Sequence, residues 1–221
     1  MKRQQLNVEA VIFDMDGVIT DTMPKHYEAW RRSFAAEGMT VGRKMVYLHE
    51  GEPGKEFLEN YFRERGDFPE HERLDRLLKR KEKIFKLIVK PRFVSGARSF
   101  LRGLKKEGLR LGLVTGTSKD EVPRVLVEEY LSLFDVVITG SDVKKGKPSP
   151  EPYKMALRRL NIPASAAFVL ENAPLGIRSA KKAGLRCFAL TTSLAKEYLA
   201  GADGLFRTIK EFQTQVSIRK R

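Results

Sequence analysis

Apolar and polar positions along the chain change period twice. Ala10 to Phe13 is a short, continuous apolar run that stops at Asp14. Such runs predict a strand buried on both faces of a parallel sheet. From about residue 95 the pattern alternates between strand-like and helix-like segments. Strands are predicted at Leu109–Thr115, Phe134–Thr139, Ala166–Leu170 and Leu185–Leu190, with a short element at Gly204–Phe206. Helices are predicted at Lys119–Tyr130, Pro150–Leu160, Pro174–Ala183 and Ile209–Gln215. Pro150 and Pro174 suit helix starts, and Gly184 suits a helix end. Alternation of this kind predicts a doubly wound, Rossmann-like α/β core with a parallel sheet.

Between the first strand and the rest the period is helical. Pro24–Glu37 carries Tyr27, Trp30, Phe34 and Ala35 on one face. Glu56–Arg65 and Leu74–Ile88 continue in the same way, and Gly51, Pro53 and Gly54 mark a loop. The expected organisation is an α/β core of residues 1–22 and 92–221 with an inserted helical cap at 23–91. No internal repeat is visible.

Composition narrows the class. The 221 residues carry 42 Lys and Arg against 28 Asp and Glu, a net charge of +14. A basic balance points to nucleic acid when it gathers on one stripe. Here it is interspersed with acids, as in Arg76–Lys90, and only the terminal Arg219-Lys220-Arg221 is purely basic. That run reads as a tail, and nucleic acid is not expected as the partner. No apolar run approaches the ~20 residues that span a bilayer. The basic start is followed by a stretch too short and too acidic for a secretory signal. Cys187 is the single cysteine, so no internal disulfide forms. A cytoplasmic protein is expected, as a monomer or weak dimer.

Four sites at predicted strand ends carry candidate chemistry. Asp14 and Asp16 follow the first strand, with Gly17 behind them. Two crowded carboxylates are costly unless a cation or a proton is shared between them. A hard divalent cation such as Mg²⁺ relieves that cost. One acid could then attack and the other act as acid and base. Read alone, Asp-x-Asp-Gly is equally a polar turn. Thr115 and Gly116 end the second core strand and could hold phosphate oxygens; Thr117 or Ser118 there equally reads as a helix cap. Lys147, in a loop stiffened by Pro148 and Pro150, is a candidate point charge, or merely a solvated lysine. Glu171 and Asn172 end another strand and could bind the same cation, although Asn172 also suits an N-cap. A parallel sheet brings such strand ends to one edge.

With Asp14-Met15-Asp16-Gly17, Thr115, Lys147-Pro148 and Glu171-Asn172 in this order, the chain resembles the haloacid dehalogenase superfamily. Asp21-Thr22-Met23-Pro24-Lys25-His26 through Trp30 resembles its phosphatase and β-phosphoglucomutase-like branch, with a helical cap after the first motif. The resemblance implies a Mg²⁺-dependent phosphatase acting on a small phosphorylated metabolite. Asp14 would be the nucleophile, forming an aspartyl-phosphate, and Asp16 the acid and base. Thr115, Gly116 and Lys147 would hold the phosphoryl group. Mg²⁺ would be held by Asp14, the Asp16 carbonyl, Glu171 and Asn172, the last being a departure from the aspartate many relatives carry. His26 and Lys55 are the cap-side substrate candidates. The Glu50–Lys55 loop holds two acids and no arginine. This ranks a phosphatase above a sugar-phosphate mutase, which must grip a second phosphate. The rival from another class is a non-catalytic binding protein that uses the basic surface.

Overall fold

A computed structural model describes residues 3–221; the basic start at Met1 and Lys2 lies outside them. Strand β1 (Gln4–Val8) leads directly into β2 (Ala10–Phe13). Four helices follow: α1 (Met23–Ala35), α2 (Arg43–Leu48), α3 (Gly54–Arg63) and α4 (His71–Ile88). The chain then runs through α5 (Ala97–Lys106), β3 (Arg110–Val114), α6 (Val122–Val125), α7 (Glu128–Leu131) and β4 (Val136–Ile138). It finishes with α8 (Glu151–Leu160), β5 (Ala167–Glu171), α9 (Pro174–Lys182), β6 (Arg186–Leu190), β7 (Gly204–Phe206), α10 (Ile209–Gln215) and β8 (Val216–Lys220).

The main sheet has six strands in the order β4-β3-β2-β5-β6-β7, and every pairing is parallel. Strands alternate their side chains between faces. Val11 and Phe13 therefore join one core with Leu111, Leu113, Phe168 and Leu170, while Ala10 and Ile12 join the other with Val114, Ile138 and Val169. Helices α8 and α9 cover the second face and α5 and α10 the first. Strand β2 has β3 on one side and β5 on the other, so the chain order reverses beside it. Ligands of open α/β sheets bind at such a switch point, beyond the carboxyl ends of the strands.

Helices α1 to α4 pack on one another through Trp30, Phe34, Phe57, Tyr61 and Phe62. The α2–α3 loop returns to the sheet. A Cβ at Gly116 would lie 2.9 Å from the Gly51 carbonyl oxygen, and one at Gly146 would overlap Pro53.

Several elements differ from the sequence expectation. Residues 119–130 do not form one helix: Leu126 and Val127 are extended between α6 and α7, and Leu126 is fully buried. Core burial of that leucine outweighs continuation of a segment already rich in valine and holding Pro123. Helices α2 and α5 lie where no element was expected. The basic terminus is no free tail: β8 pairs in parallel with β1, from Gln4 opposite Val216 to Val8 opposite Lys220. Leu6, Val8 and Val216 bury their side chains in the core of the first face, which holds this pair in place.

Candidate active site

Each predicted strand-end residue reaches the same edge. Asp14 follows β2, Thr115 follows β3 and Glu171 ends β5. Asp14 and Asp16 are 1% and 2% exposed. Lys147 comes from the β4–α8 loop and is equally buried. Its Nζ donates to Asp14 Oδ1 at 2.6 Å, to Glu171 Oε1 at 2.7 Å and to the Val114 carbonyl at 3.3 Å.

Here one ammonium serves several acids. Burial alone would discharge Lys147, but contact with Asp14 and Glu171 holds it protonated, well above the ordinary lysine range. Burial pushes Asp14 up and Lys147 pulls it down; the adjacent Glu171 and Asp16 push it up again, to about 8. Burial also pushes on Asp16, but there His26 wins. Its charge and hydrogen bond, with those of Thr22 and Thr117, bring Asp16 down to about 2. His26 Nε2 lies 3.2 Å from Asp16 Oδ1, and the Thr22 hydroxyl donates to the same oxygen. Thr117 Oγ1 and Thr115 Oγ1 donate to Oδ2 at 3.0 and 3.3 Å. The two aspartates thus differ in state: Asp16 is solvated by protein donors, whereas Asp14 has a bare oxygen.

That bare oxygen is Asp14 Oδ2, buried and without a hydrogen-bond partner; Asn172 Oδ1 is buried and unpartnered as well. Asn172 Nδ2 donates to Ser193 Oγ at 2.9 Å, which fixes the amide's orientation. Buried oxygens without donors are rare and call for a cation or a ligand. Glu171 is different. Its Oε1 accepts from Lys147 and from Tyr153 at 2.9 Å, and its Oε2 accepts from the Asn172 and Ala173 backbone N–H groups. Both carboxylate oxygens are thereby occupied. Among the described residues no cluster of three or more His, Cys, Asp or Glu side chains is placed to hold a metal ion. The buried oxygens left to take a hard cation are therefore Asp14 Oδ2 and Asn172 Oδ1.

Two local expectations change. Neither Thr117 nor Ser118 caps a helix: Thr117 serves Asp16, and Ser118 Oγ bonds Asp120. Asn172 is not an N-cap either, since Ala173 holds that position on α9. Lys55 is exposed on the first turn of α3, whose buried face is Phe57, Leu58, Tyr61 and Phe62, and it does not line the cavity above Asp16. His26 does line that cavity, stacked on Phe85 at 4.1 Å. Thr22, Thr117, Tyr153 and Ser193 were not picked out from the sequence as site residues. They are common polar residues with no spacing signal, and only the fold sets them against the acids.

Comparison with known proteins places the chain in a family. The family model described as haloacid dehalogenase-like hydrolase matches residues 11–190. Validoxylamine A 7'-phosphate phosphatase of Streptomyces hygroscopicus subsp. limoneus is 35% identical over 206 residues, covering 92% of this chain and 95% of its own. The phosphorylated carbohydrates phosphatase of Thermotoga maritima is 34% identical over 194 residues, covering 85% and 87%. A solved structure of CbbY from Rhodobacter sphaeroides with xylulose-(1,5)bisphosphate superposes with a TM-score of 0.77 at 29% identity, covering 91% and 94%. The chain belongs to the haloacid dehalogenase-like hydrolases and is a phosphohydrolase of that family.

Proposed function

We propose that the chain is a Mg²⁺-dependent phosphatase that hydrolyses a small phosphate monoester through a phosphorylated Asp14. The observation that carries this reading is the asymmetry of Asp14: Oδ1 is anchored on Lys147 and Oδ2 is buried without a partner. An anchored carboxylate with one free oxygen is arranged to attack, and a cation held at that oxygen would keep Asp14 ionised against the upward push of burial. Asp14 would form the new bond to phosphorus as the ester oxygen leaves. Asp16 would pass a proton to that oxygen; ionised beside His26, it would receive that proton from His26 Nε2, 3.2 Å away. In the second half Asp16 would take a proton from water as the water attacks phosphorus and frees Asp14. Thr115, the Gly116 N–H and Lys147 would hold the phosphoryl oxygens, since phosphoryl transfer needs mainly positioning and charge neutralisation. Bound by Asp14, Asn172 and the Asp16 carbonyl, the cation would supply further charge neutralisation.

Helices α1 to α4 form the cap in this reading. The relatives named for phosphatases of phosphorylated carbohydrates and of validoxylamine A 7'-phosphate favour a polyhydroxylated substrate. Among the described residues no arginine lines the cavity above Asp16, which favours a phosphatase over a mutase that handles bisphosphates.

The test is release of phosphate from p-nitrophenyl phosphate with and without Mg²⁺. The expected result is cation-dependent turnover that falls at least about 10³-fold in Asp14→Asn, with the circular dichroism spectrum unchanged. Undiminished turnover in that variant would overturn the assignment of the nucleophile.

A further inference from the structure

A second set of polar groups faces the site without serving Asp14. The cavity between the proposed cap and the core encloses about 220 Å³. From the core side Glu121 lines it, 4% exposed, with Oε1 lacking any hydrogen-bond partner. From the cap side Glu50 lines it, and its Oε2 is also shielded and unpartnered. Lys81 of α4, 8% exposed, completes the set. Its Nζ stands over the Phe85 ring at 4.9 Å and the Trp30 ring at 5.6 Å.

These groups define what fills the space. A buried acceptor left without a donor costs free energy that a ligand donor recovers. An ionised carboxylate only accepts and an ammonium only donates, whereas a hydroxyl does both. Hydroxyls can therefore satisfy Glu50, Glu121 and Lys81 together. A phosphate dianion only accepts, and the cavity it would enter is lined by Asp16, Glu52, Glu82 and Glu121 as well as Glu50, against Lys81 and two histidines, His26 and His49. Burial already pushes the Glu50 carboxyl well above the ordinary range, and Asp16 and Asp14 add to the push. Another anion would act in the same direction, while a hydroxyl donor acts against it.

Resting on the phosphatase reading, we propose that this cavity is the leaving-group subsite. In it Glu121 and Glu50 accept hydrogen bonds from hydroxyls of an uncharged sugar or polyol, and Lys81 donates to one. The site thereby accepts monophosphates and turns away esters that carry a second phosphate. Glu121 and Glu50 are its specificity residues.

The test compares kcat/KM of the full chain with saturating Mg²⁺ on matched pairs: glucose 6-phosphate and glucose 1,6-bisphosphate, fructose 6-phosphate and fructose 1,6-bisphosphate, ribulose 5-phosphate and ribulose 1,5-bisphosphate. p-Nitrophenyl phosphate is the reference, since its leaving group carries no further hydroxyl. At least one monophosphate should exceed its bisphosphate by about 100-fold. Glu121→Gln keeps the volume and removes the charge, so that ratio should fall about tenfold. Glu121→Leu removes the acceptor, and its loss on the preferred sugar phosphate should exceed its loss on p-nitrophenyl phosphate about tenfold. Bisphosphates turned over as well as monophosphates, or an unaltered ratio in a folded Glu121→Gln, would overturn the proposal. Should either variant fail to fold, the wild-type pairs decide alone. Inertness toward every ester, p-nitrophenyl phosphate included, would bring down the phosphatase reading itself.

Discussion

Gly51 of the α2–α3 loop lies directly on Lys147 of the core: a Cβ at Gly51 would be 2.6 Å from Lys147 Cδ. The same glycine has φ +81°, a left-handed conformation that L side chains enter only with strain. Loop and lysine therefore meet backbone to side chain, and this contact joins the proposed cap to the lysine proposed to hold the phosphoryl group.

Gly51→Ala should disturb that contact from two directions, through backbone strain and through overlap with the Lys147 stem. Lys147 is held at its tip by Asp14 and Glu171, so the loop is the part that yields. The expected outcome is a fall of about tenfold or more in kcat/KM on p-nitrophenyl phosphate. Steady-state kinetics would show it, and a value within twofold of wild type would count against the loop as part of the working site.

Glu171 should act through Lys147. Gly176, in the first turn of α9, leaves the room that the carboxylate needs, because a Cβ there would overlap Glu171 Oε1. Gly176→Ala should therefore displace Glu171 and cost about 2 kcal/mol or more of stability, as overpacking does, along with most of the turnover. Glu171→Gln retains an acceptor for Lys147 but loses the charge. We expect reduced kcat, with Mg²⁺ affinity by titration calorimetry changed less than in Asp14→Asn.

Asn172→Asp should tighten Mg²⁺ binding by about tenfold, since it puts a charged oxygen into the proposed ligand set. Ser193 tolerates the change because its hydroxyl can donate where it now accepts. Calorimetric titration of the variant measures this without reference to turnover. Unchanged affinity would remove Asn172 from the ligand set.

Acid stability should depend on three aspartates that cap strand-side backbone groups. Asp135 accepts from the Leu111 N–H, Asp142 from that of Thr139 and Asp203 from that of Cys187. Burial pushes each carboxyl up, yet these bonds and a neighbouring Lys or Arg hold it below the ordinary 3.8. A folded-state pKa below the unfolded one stabilises at pH above the unfolded value, and the contribution is lost as pH falls through the folded value. Asp203→Asn should lower Tm at pH 7 by about 2–4 °C. The partly solvated pair with Lys181 adds little to that. The difference from wild type should shrink as pH falls below about 4. Thermal melts from pH 7 to 3 would check it, and a difference that grows toward acid would contradict the sign.

Much of the fold could be read from local pattern. Short apolar runs mark β2 to β6, Pro150 and Pro174 mark the starts of α8 and α9, and helical spacing marks α1, α3 and α4. These signals are legible because a residue and its near neighbours decide them. Where tertiary packing overrules local preference, the pattern misled, as at buried Leu126 between α6 and α7. The pairing of β1 with β8 was invisible for a related reason: the partners stand at opposite ends of the chain, and their register follows from a shared core.

The site divides in the same way. By itself the sequence determined that Asp14, Thr115 and Glu171 end strands of one parallel sheet, and hence converge on one edge with Lys147 nearby. Only the tertiary structure decided what each acid does there. It surrounds Asp16 with Thr22, His26, Thr115 and Thr117, commits both oxygens of Glu171 to other partners, and leaves Asp14 Oδ2 and Asn172 Oδ1 without donors. It also sets Glu50 against the core's Glu121 across one cavity. The physical reason is that a carboxylate's state depends on which donors and charges share its low-dielectric surroundings, and packing between distant segments chooses those neighbours.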